Sequence, residues 1–167
     1  EIIMNIRKAI PADLPVLLAL YEKARTFMAA HGNPTQWGNA YPPVSLLESD
    51  IHAKNCYVCE EHGNIIAVFY YHLGPDPTYT HIYNGQWLNT SPYGVVHRIT
   101  ADGTIKGTAS FCLDWAWKQC KNLKIDTHRN NHIMQHLLCK NGFTYCGIIY
   151  LEDGSERLAY QKNEAVR

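Results

Sequence analysis

The sequence has 167 residues, with 15 Lys and Arg balanced by 15 Asp and Glu for a formal net charge of zero. That length suits a single domain over residues 1–167, large enough to bury a core without metals or disulfides, and no linker-like stretch divides it. The charge balance and the lack of a basic block exclude the footprint of a nucleic-acid binder, and no apolar run is long enough to span a bilayer.

Ile2 to Arg7 reads as a first strand, with Met4 as the native start behind remnant residues. The opening lacks the basic start and long apolar centre of a secretory signal, so a cytoplasmic address is expected. Asp13 is placed to cap a helix whose early Pro15 costs no hydrogen bond. Leu14, Leu17, Leu18, Tyr21, Ala24 and Met28 then mark one face, and His31-Gly32-Asn33-Pro34 ends it. Ser45 with Glu48 has the spacing of a capping box for a short helix running to about Ala53, with Leu46, Leu47 and Ile51 facing inward. Cys56 to Glu61 and Ile65 to His72 read as strands around the turn His62-Gly63-Asn64.

Between Leu73 and Tyr93 lies a Pro-, Asn- and Gly-containing stretch too long for a hairpin loop, with room for a short extra strand. The remainder alternates: a strand from Gly94 to Ile99, a helix from about Gly107 to Cys120, a strand from Leu123 to Thr127, a helix from Asn131 to Asn141, a strand from Phe143 to Leu151, and after Asp153-Gly154 a last strand from Arg157 to Gln161. Ala109, Leu113, Ala116, Trp117 and Cys120 form the inward stripe of one helix, and Ile133, Met134, Leu137 and Leu138 that of the other. Lys162 to Arg167 reads as a loosely held tail. The fold class is therefore α/β, a mixed, mostly antiparallel central sheet flanked by helices.

Cys112, Cys120, Cys139 and Cys146 fall within apolar patterns, as core fillers do. Cys56-Tyr57-Val58-Cys59 has metal-ligand spacing but sits in strand-like sequence with no second Cys pair or nearby His to complete a set, so no metal site is expected.

The run Gly103-Thr104-Ile105-Lys106-Gly107-Thr108-Ala109-Ser110 joins a strand to a helix start. Small residues there let an anion approach the main chain, and the positive end of the helix opposes its charge. This element order, with two linked segments, resembles the GCN5-related N-acetyltransferase superfamily. Thr104-Ile105-Lys106-Gly107-Thr108-Ala109 follows the superfamily's Gln/Arg-x-x-Gly-x-Gly/Ala motif at every position except the first. Asn131-His132-Ile133-Met134, continuing to Leu137 and Gly142-Phe143, has the spacing of its Asn-x-x-Ala…Gly-Phe segment.

The resemblance implies an acyl-coenzyme A N-acyltransferase sandwich that uses acetyl-coenzyme A as cosubstrate. Ile99 would then contact it through the main chain, amides of Lys106, Gly107, Thr108 and Ala109 would cradle its pyrophosphate, and Asn131 would lie near the pantetheine arm. Lys106 or Arg129 would balance the phosphates. His97, on the strand from which related enzymes present a proton acceptor, is the first candidate base, its ordinary pKa range suiting transfer near neutrality. Asp126 and His128, two apart, share a side if their strand continues, and would hold the amine or relay its proton. Trp37, Tyr41, Tyr79, Tyr83 and Trp87 are candidate walls of the acceptor pocket.

Two departures accompany the match. Thr104 stands where a Gln or Arg would contact phosphate, and Leu138 stands where many relatives place a tyrosine that protonates the leaving thiolate. The expected activity is transfer of acetyl to a small-molecule amine, with a protein-lysine or N-terminal acetyltransferase and a noncatalytic acyl-coenzyme A-binding module as alternatives. The expected partner is the small amine alone, without nucleic acid or membrane, and a homodimer stays open.

Overall fold

The computed structural model describes residues 1–164. In chain order they form strand β1 (Met4–Lys8), helices α1 (Leu14–Ala30) and α2 (Val44–His52), strands β2 (Cys56–Glu61), β3 (Asn64–Leu73) and β4 (Gly94–Ala101), helix α3 (Thr108–Lys118), strand β5 (Leu123–Thr127), helix α4 (His132–Lys140), and strands β6 (Thr144–Tyr150) and β7 (Glu156–Lys162). The strands lie in one seven-stranded sheet in the order β1-β2-β3-β4-β5-β7-β6. β1–β2, β2–β3, β5–β7 and β6–β7 are antiparallel, and β4–β5 is parallel. This is the mixed α/β sheet flanked by helices that the sequence predicts. The chain divides into two compact units, one of Glu1–Tyr71 with His97–Cys112 and the other of 72–96 with 113–164.

In the first unit, His62 and Gly63 adopt φ of 50° and 75° between the paired Glu61 and Asn64, the doubly left-handed turn that matches the twist of a tight hairpin. On α1 and α2 the apolar spacing buries Leu17, Leu20, Tyr21, Leu47 and Ile51 against Cys56, Val58 and Val68 of the hairpin. Each fully buried side chain of this size contributes about 2 kcal/mol. Cys59 and Cys112 are both buried free thiols.

Both proposed helix caps are corrected. Asp13 sits at the N-cap of α1 but makes no cap bond there. Its carboxylate reaches back instead, accepting from the Ile10 amide at 2.8 Å and pairing with both terminal nitrogens of Arg7 at 2.8 and 3.1 Å. A guanidinium on the neighbouring strand outbids the helix end. The second helix begins one residue before Ser45, with Pro43 as N-cap and no side-chain bond, so the Ser45–Glu48 box is not formed.

In the second unit, β7 pairs with β5 on one side and β6 on the other. Tyr79, Val95, Ile149 and Ala159 form its central buried cluster, joined by Ile82, Trp87, Tyr93 and Leu151. The stretch before β4 holds no named strand of its own; a short 3₁₀ turn at Pro77–Tyr79 and a single bridge between Tyr83 and Ile148 take the place of the extra strand. The bridge requires two glycines, because a Cβ on Gly85 would overlap the Cys146 carbonyl and one on Gly147 would meet the Tyr83 carbonyl. The same stretch is anchored by amides. Gln161, fully buried, accepts from the Leu88 N–H at 2.8 Å and donates to Asn122 Oδ1 at 2.7 Å and Asn89 Oδ1 at 3.2 Å.

Three smaller expectations also change. Ile133 is exposed rather than inward-facing, and Cys139 is exposed rather than a core filler. Lys162 ends β7 with its ammonium 4.6 Å from the centre of the Trp117 ring, so the tail begins later than expected; residues 165–167 lie outside the described residues. Among the described residues no helix is long and apolar enough to cross a membrane, and no group of three or more His, Cys, Asp or Glu is placed to hold a metal.

Candidate functional site

In the first unit the candidate residues cluster on the end of β4 and the turn into α3. Arg98 lies inside β4 with φ of 53°, a left-handed conformation that costs a non-glycine residue about 1–2 kcal/mol. Consecutive residues of a regular strand face opposite sides. Here both His97 and Arg98 reach the ring of Tyr70, the His97 ring centre at 5.8 Å and the Arg98 guanidinium carbon at 4.8 Å. The backbone is fixed in this shape by the Tyr21 hydroxyl, which donates to the Arg98 carbonyl at 2.7 Å. Ile99, the next residue, is buried.

The Arg98 side chain is one that sequence reasoning missed. It pairs with Asp50 of α2 at 2.5 Å and points a second nitrogen at the Tyr41 hydroxyl at 3.4 Å. Burial pushes the Asp50 carboxyl above its usual range even though Arg98 pulls it down. The Arg98 guanidinium, desolvated in turn, is nonetheless held above its ordinary range by the charge of Asp50. The proposed wall residues separate: Trp37 packs edge-on to Tyr21 at 5.5 Å, while Tyr41 is exposed and faces Arg98.

Beyond β4, Asp102 accepts from both the amide and the hydroxyl of Thr104, at 2.9 and 2.7 Å. Thr104 is therefore spent on shaping the turn. Gly107 follows with φ of 87°, and a Cβ built on it would meet nothing within 4 Å. The bond from the Phe111 amide to the Gly107 carbonyl opens the ladder of α3, and the amides of Thr108 and Ala109 precede it at the helix start. The Thr108 hydroxyl turns back to Ile105 O at 2.7 Å, Lys106 is exposed, and the first turn carries no acidic residue. Open amides, an open approach and no opposing carboxylate in that turn fit an anionic group such as a pyrophosphate.

In the second unit, Asp126 accepts a 2.7 Å bond from the hydroxyl of Tyr79, a residue fully enclosed by the protein. Trp87 Nε1 in turn donates to the Tyr79 carbonyl at 3.0 Å, so two of the proposed pocket aromatics instead serve to hold Asp126. The ammonium of Lys124, two residues earlier on β5, is stacked between Trp87 at 4.1 Å and Tyr93 at 3.9 Å, and its burial lowers its pKa to about 8. Lys124 gave no signal in the sequence, because a strand lysine ordinarily reaches solvent.

β5 ends at Thr127, so alternation does not carry through to His128. His128 instead accepts the Asn130 amide on Nδ1 at 3.0 Å, leaving its proton on Nε2, and burial lowers its pKa with help from Arg157. Thr127 is completely buried, and its hydroxyl has no hydrogen-bond partner. Arg129 forms a two-nitrogen ion pair with one carboxylate oxygen of Glu156 at 2.8 and 2.9 Å, which sets a negative charge beside the one it would offer a phosphate. Asn131 caps α4, accepting from the Met134 amide at 3.1 Å. Leu138 is wholly buried, whereas Tyr145 and Tyr150 are about half exposed.

No protein-family model matches the sequence, and no curated protein matches it. Solved structures do. An acetyltransferase of the GNAT family from Streptococcus agalactiae 2603 is 32% identical, with 98% of this chain and 96% of that chain covered and a TM-score of 0.88. A GNAT-family acetyltransferase from Listeria monocytogenes 4b F2365 shares the fold at 18% identity, over 98% of this chain and 100% of that one, with a TM-score of 0.71. A ribosomal-protein-alanine N-acetyltransferase from Brucella melitensis does so at 19% identity, over 96% and 99%, with a TM-score of 0.64.

Proposed function

Because the chain belongs to the GNAT family of acetyltransferases, we propose that it transfers the acetyl group of acetyl-coenzyme A to the nitrogen of a small primary amine. The observation that carries this reading is the start of α3, where a left-handed Gly107 and the unpaired amides of Thr108 and Ala109 present donors to an anion. Lys106 adds a positive charge beside them, and Arg129 contributes through the part of its guanidinium that Glu156 leaves over. Ile99 offers main-chain polar groups to the pantetheine arm, and the Asn131 side chain lies at the head of α4 for the same arm. The bound cosubstrate supplies an activated thioester carbonyl.

His97 takes the proton released by the attacking amine. Asp126, its carboxylate oriented by Tyr79, attracts the cationic form of the acceptor, and His128, favoured neutral by burial, accepts a proton from it. Leu138 gives the departing sulfur no proton, and solvent fills that role.

The buried Leu138 also favours a second reading, a domain that binds the cosubstrate without turning it over. Purified protein with acetyl-coenzyme A and a panel of amines separates the two. Turnover supports the enzyme, saturable binding without turnover supports the second reading, and neither overturns both. For the base, His97→Ala is compared with the parent after folding and cosubstrate affinity are matched; unchanged rates from neutral to mildly alkaline pH eliminate the role.

A further inference from the structure

We infer that the acceptor amine carries a carboxylate, received by the guanidinium of Arg98 with the Tyr41 hydroxyl beside it; the inference rests on the acetyl-transfer reading above. The Arg98 side chain is nine-tenths buried, yet the protein uses only part of its fork: one nitrogen bonds Asp50 at 2.5 Å and one approaches Tyr41 Oη at 3.4 Å. Nε and the second N–H of each terminal nitrogen have no acceptor among the described residues. A fork with donors to spare is open to a further acceptor, and a planar carboxylate matches its geometry.

Three further observations point the same way. The strand holds an arginine, not a glycine, in a left-handed conformation, and such strain persists where the surroundings put it to use. Its effect is to bring the guanidinium to the same aromatic ring as His97, the proposed base. In an α-amino acid the amine sits on the carbon adjoining the carboxylate, so an acid held by Arg98 presents its amine in the neighbourhood of His97. Arg25 also donates to the Tyr41 carbonyl at 3.1 Å, so two guanidinium groups converge on Tyr41 against one paired carboxylate, Asp50, and the local balance favours an anion.

The test uses matched substrates at saturating acetyl-coenzyme A: α-amino acids against the amines left when their carboxylate is removed. The parent should favour the acids by about tenfold or more in kcat/KM. Arg98→Lys keeps a charge opposite Asp50 but loses the fork, and Tyr41→Phe leaves the ion pair intact. Both should drive the acid-to-amine ratio toward one through the KM of the acids, with the KM for acetyl-coenzyme A unmoved. Equal or better turnover of the decarboxylated amines by the parent overturns the inference, as does an unchanged ratio in both variants. If neither kind of amine turns over, the same acids are titrated calorimetrically. Binding that both variants weaken sustains the carboxylate site while the enzyme reading fails, and absence of binding overturns the site as well.

Discussion

Replacing Gly107 by alanine tests the anion site at its most exposed point. The residue has φ of 87°, where a Cβ costs about 1–2 kcal/mol, offset in part by the reduced freedom of the unfolded chain. Nothing lies within 4 Å of the added methyl, so no clash adds to that strain. The expected loss of stability is therefore about 1 kcal/mol, or roughly 2–4 °C in Tm for a chain of this length. If the turn relaxes to relieve the strain, the amides of Thr108 and Ala109 swing off their common direction, and losing one charge-assisted bond to a phosphate weakens binding about tenfold or more. Gly63 is the matched control: its φ is 75°, its Cβ direction is equally open, and it lies in the β2–β3 hairpin. Thermal melts and calorimetric titration with acetyl-coenzyme A are run on both variants. Similar Tm losses with weakened binding only in Gly107→Ala are expected; an acetyl-coenzyme A affinity within about twofold of the parent's in both would refute the placement of the phosphates at this helix.

Arg7, chiefly through its hydrogen bond, holds the Asp13 carboxyl below its usual range. The unfolded carboxyl takes up its proton at about pH 3.9 and the folded one only at lower pH, so the stabilisation is present above that value and drains as pH falls through the folded pKa. Asp13→Asn should cost about 2 kcal/mol at pH 7, with the gap to the parent narrowing in melts as the pH is taken below about 3.9. Lys124 has the opposite sign: burial sets its folded pKa at about 8, below an unfolded value of about 10.4, so the unfolded chain binds more protons between them. Relative to Lys124→Met, the parent should gain stability as pH rises from about 8 to about 10 in chemical denaturation, and a flat difference would show that the caged ammonium is not titrating. Gln161→Leu strands the Leu88 amide and removes a donor from Asn89 and Asn122, for an expected cost of about 3 kcal/mol and a Tm lower by roughly 6–12 °C.

Features set by neighbours in sequence were legible from it. The His62-Gly63 turn and the inward stripe of α1 each depend on residues within one or two turns, and the Gly107 junction lies at the head of α3 as expected. Features set by distant partners were not. Asp13 has the composition of a helix cap but finds Arg7 on a strand, and Ser45 loses its role because the chain enters α2 at Pro43. Alternation along β4 assigns His97 and Arg98 to opposite faces, and only the left-handed backbone, bonded from Tyr21 across 77 residues, brings both to Tyr70. Lys124 is buried by aromatic residues from a stretch that local patterning left without a regular shape.

The single bridge between Tyr83 and Ile148 has a consequence for solubility. β6 ends the strand order, and an unguarded terminal strand offers its main chain to any passing copy. The crossing at Gly85 and Gly147 lays a piece of the same chain along that margin, occupying the Ile148 amide and carbonyl, both at 2.8 Å. A side chain at either glycine would lift this guard, so its first symptom would be self-association on concentration.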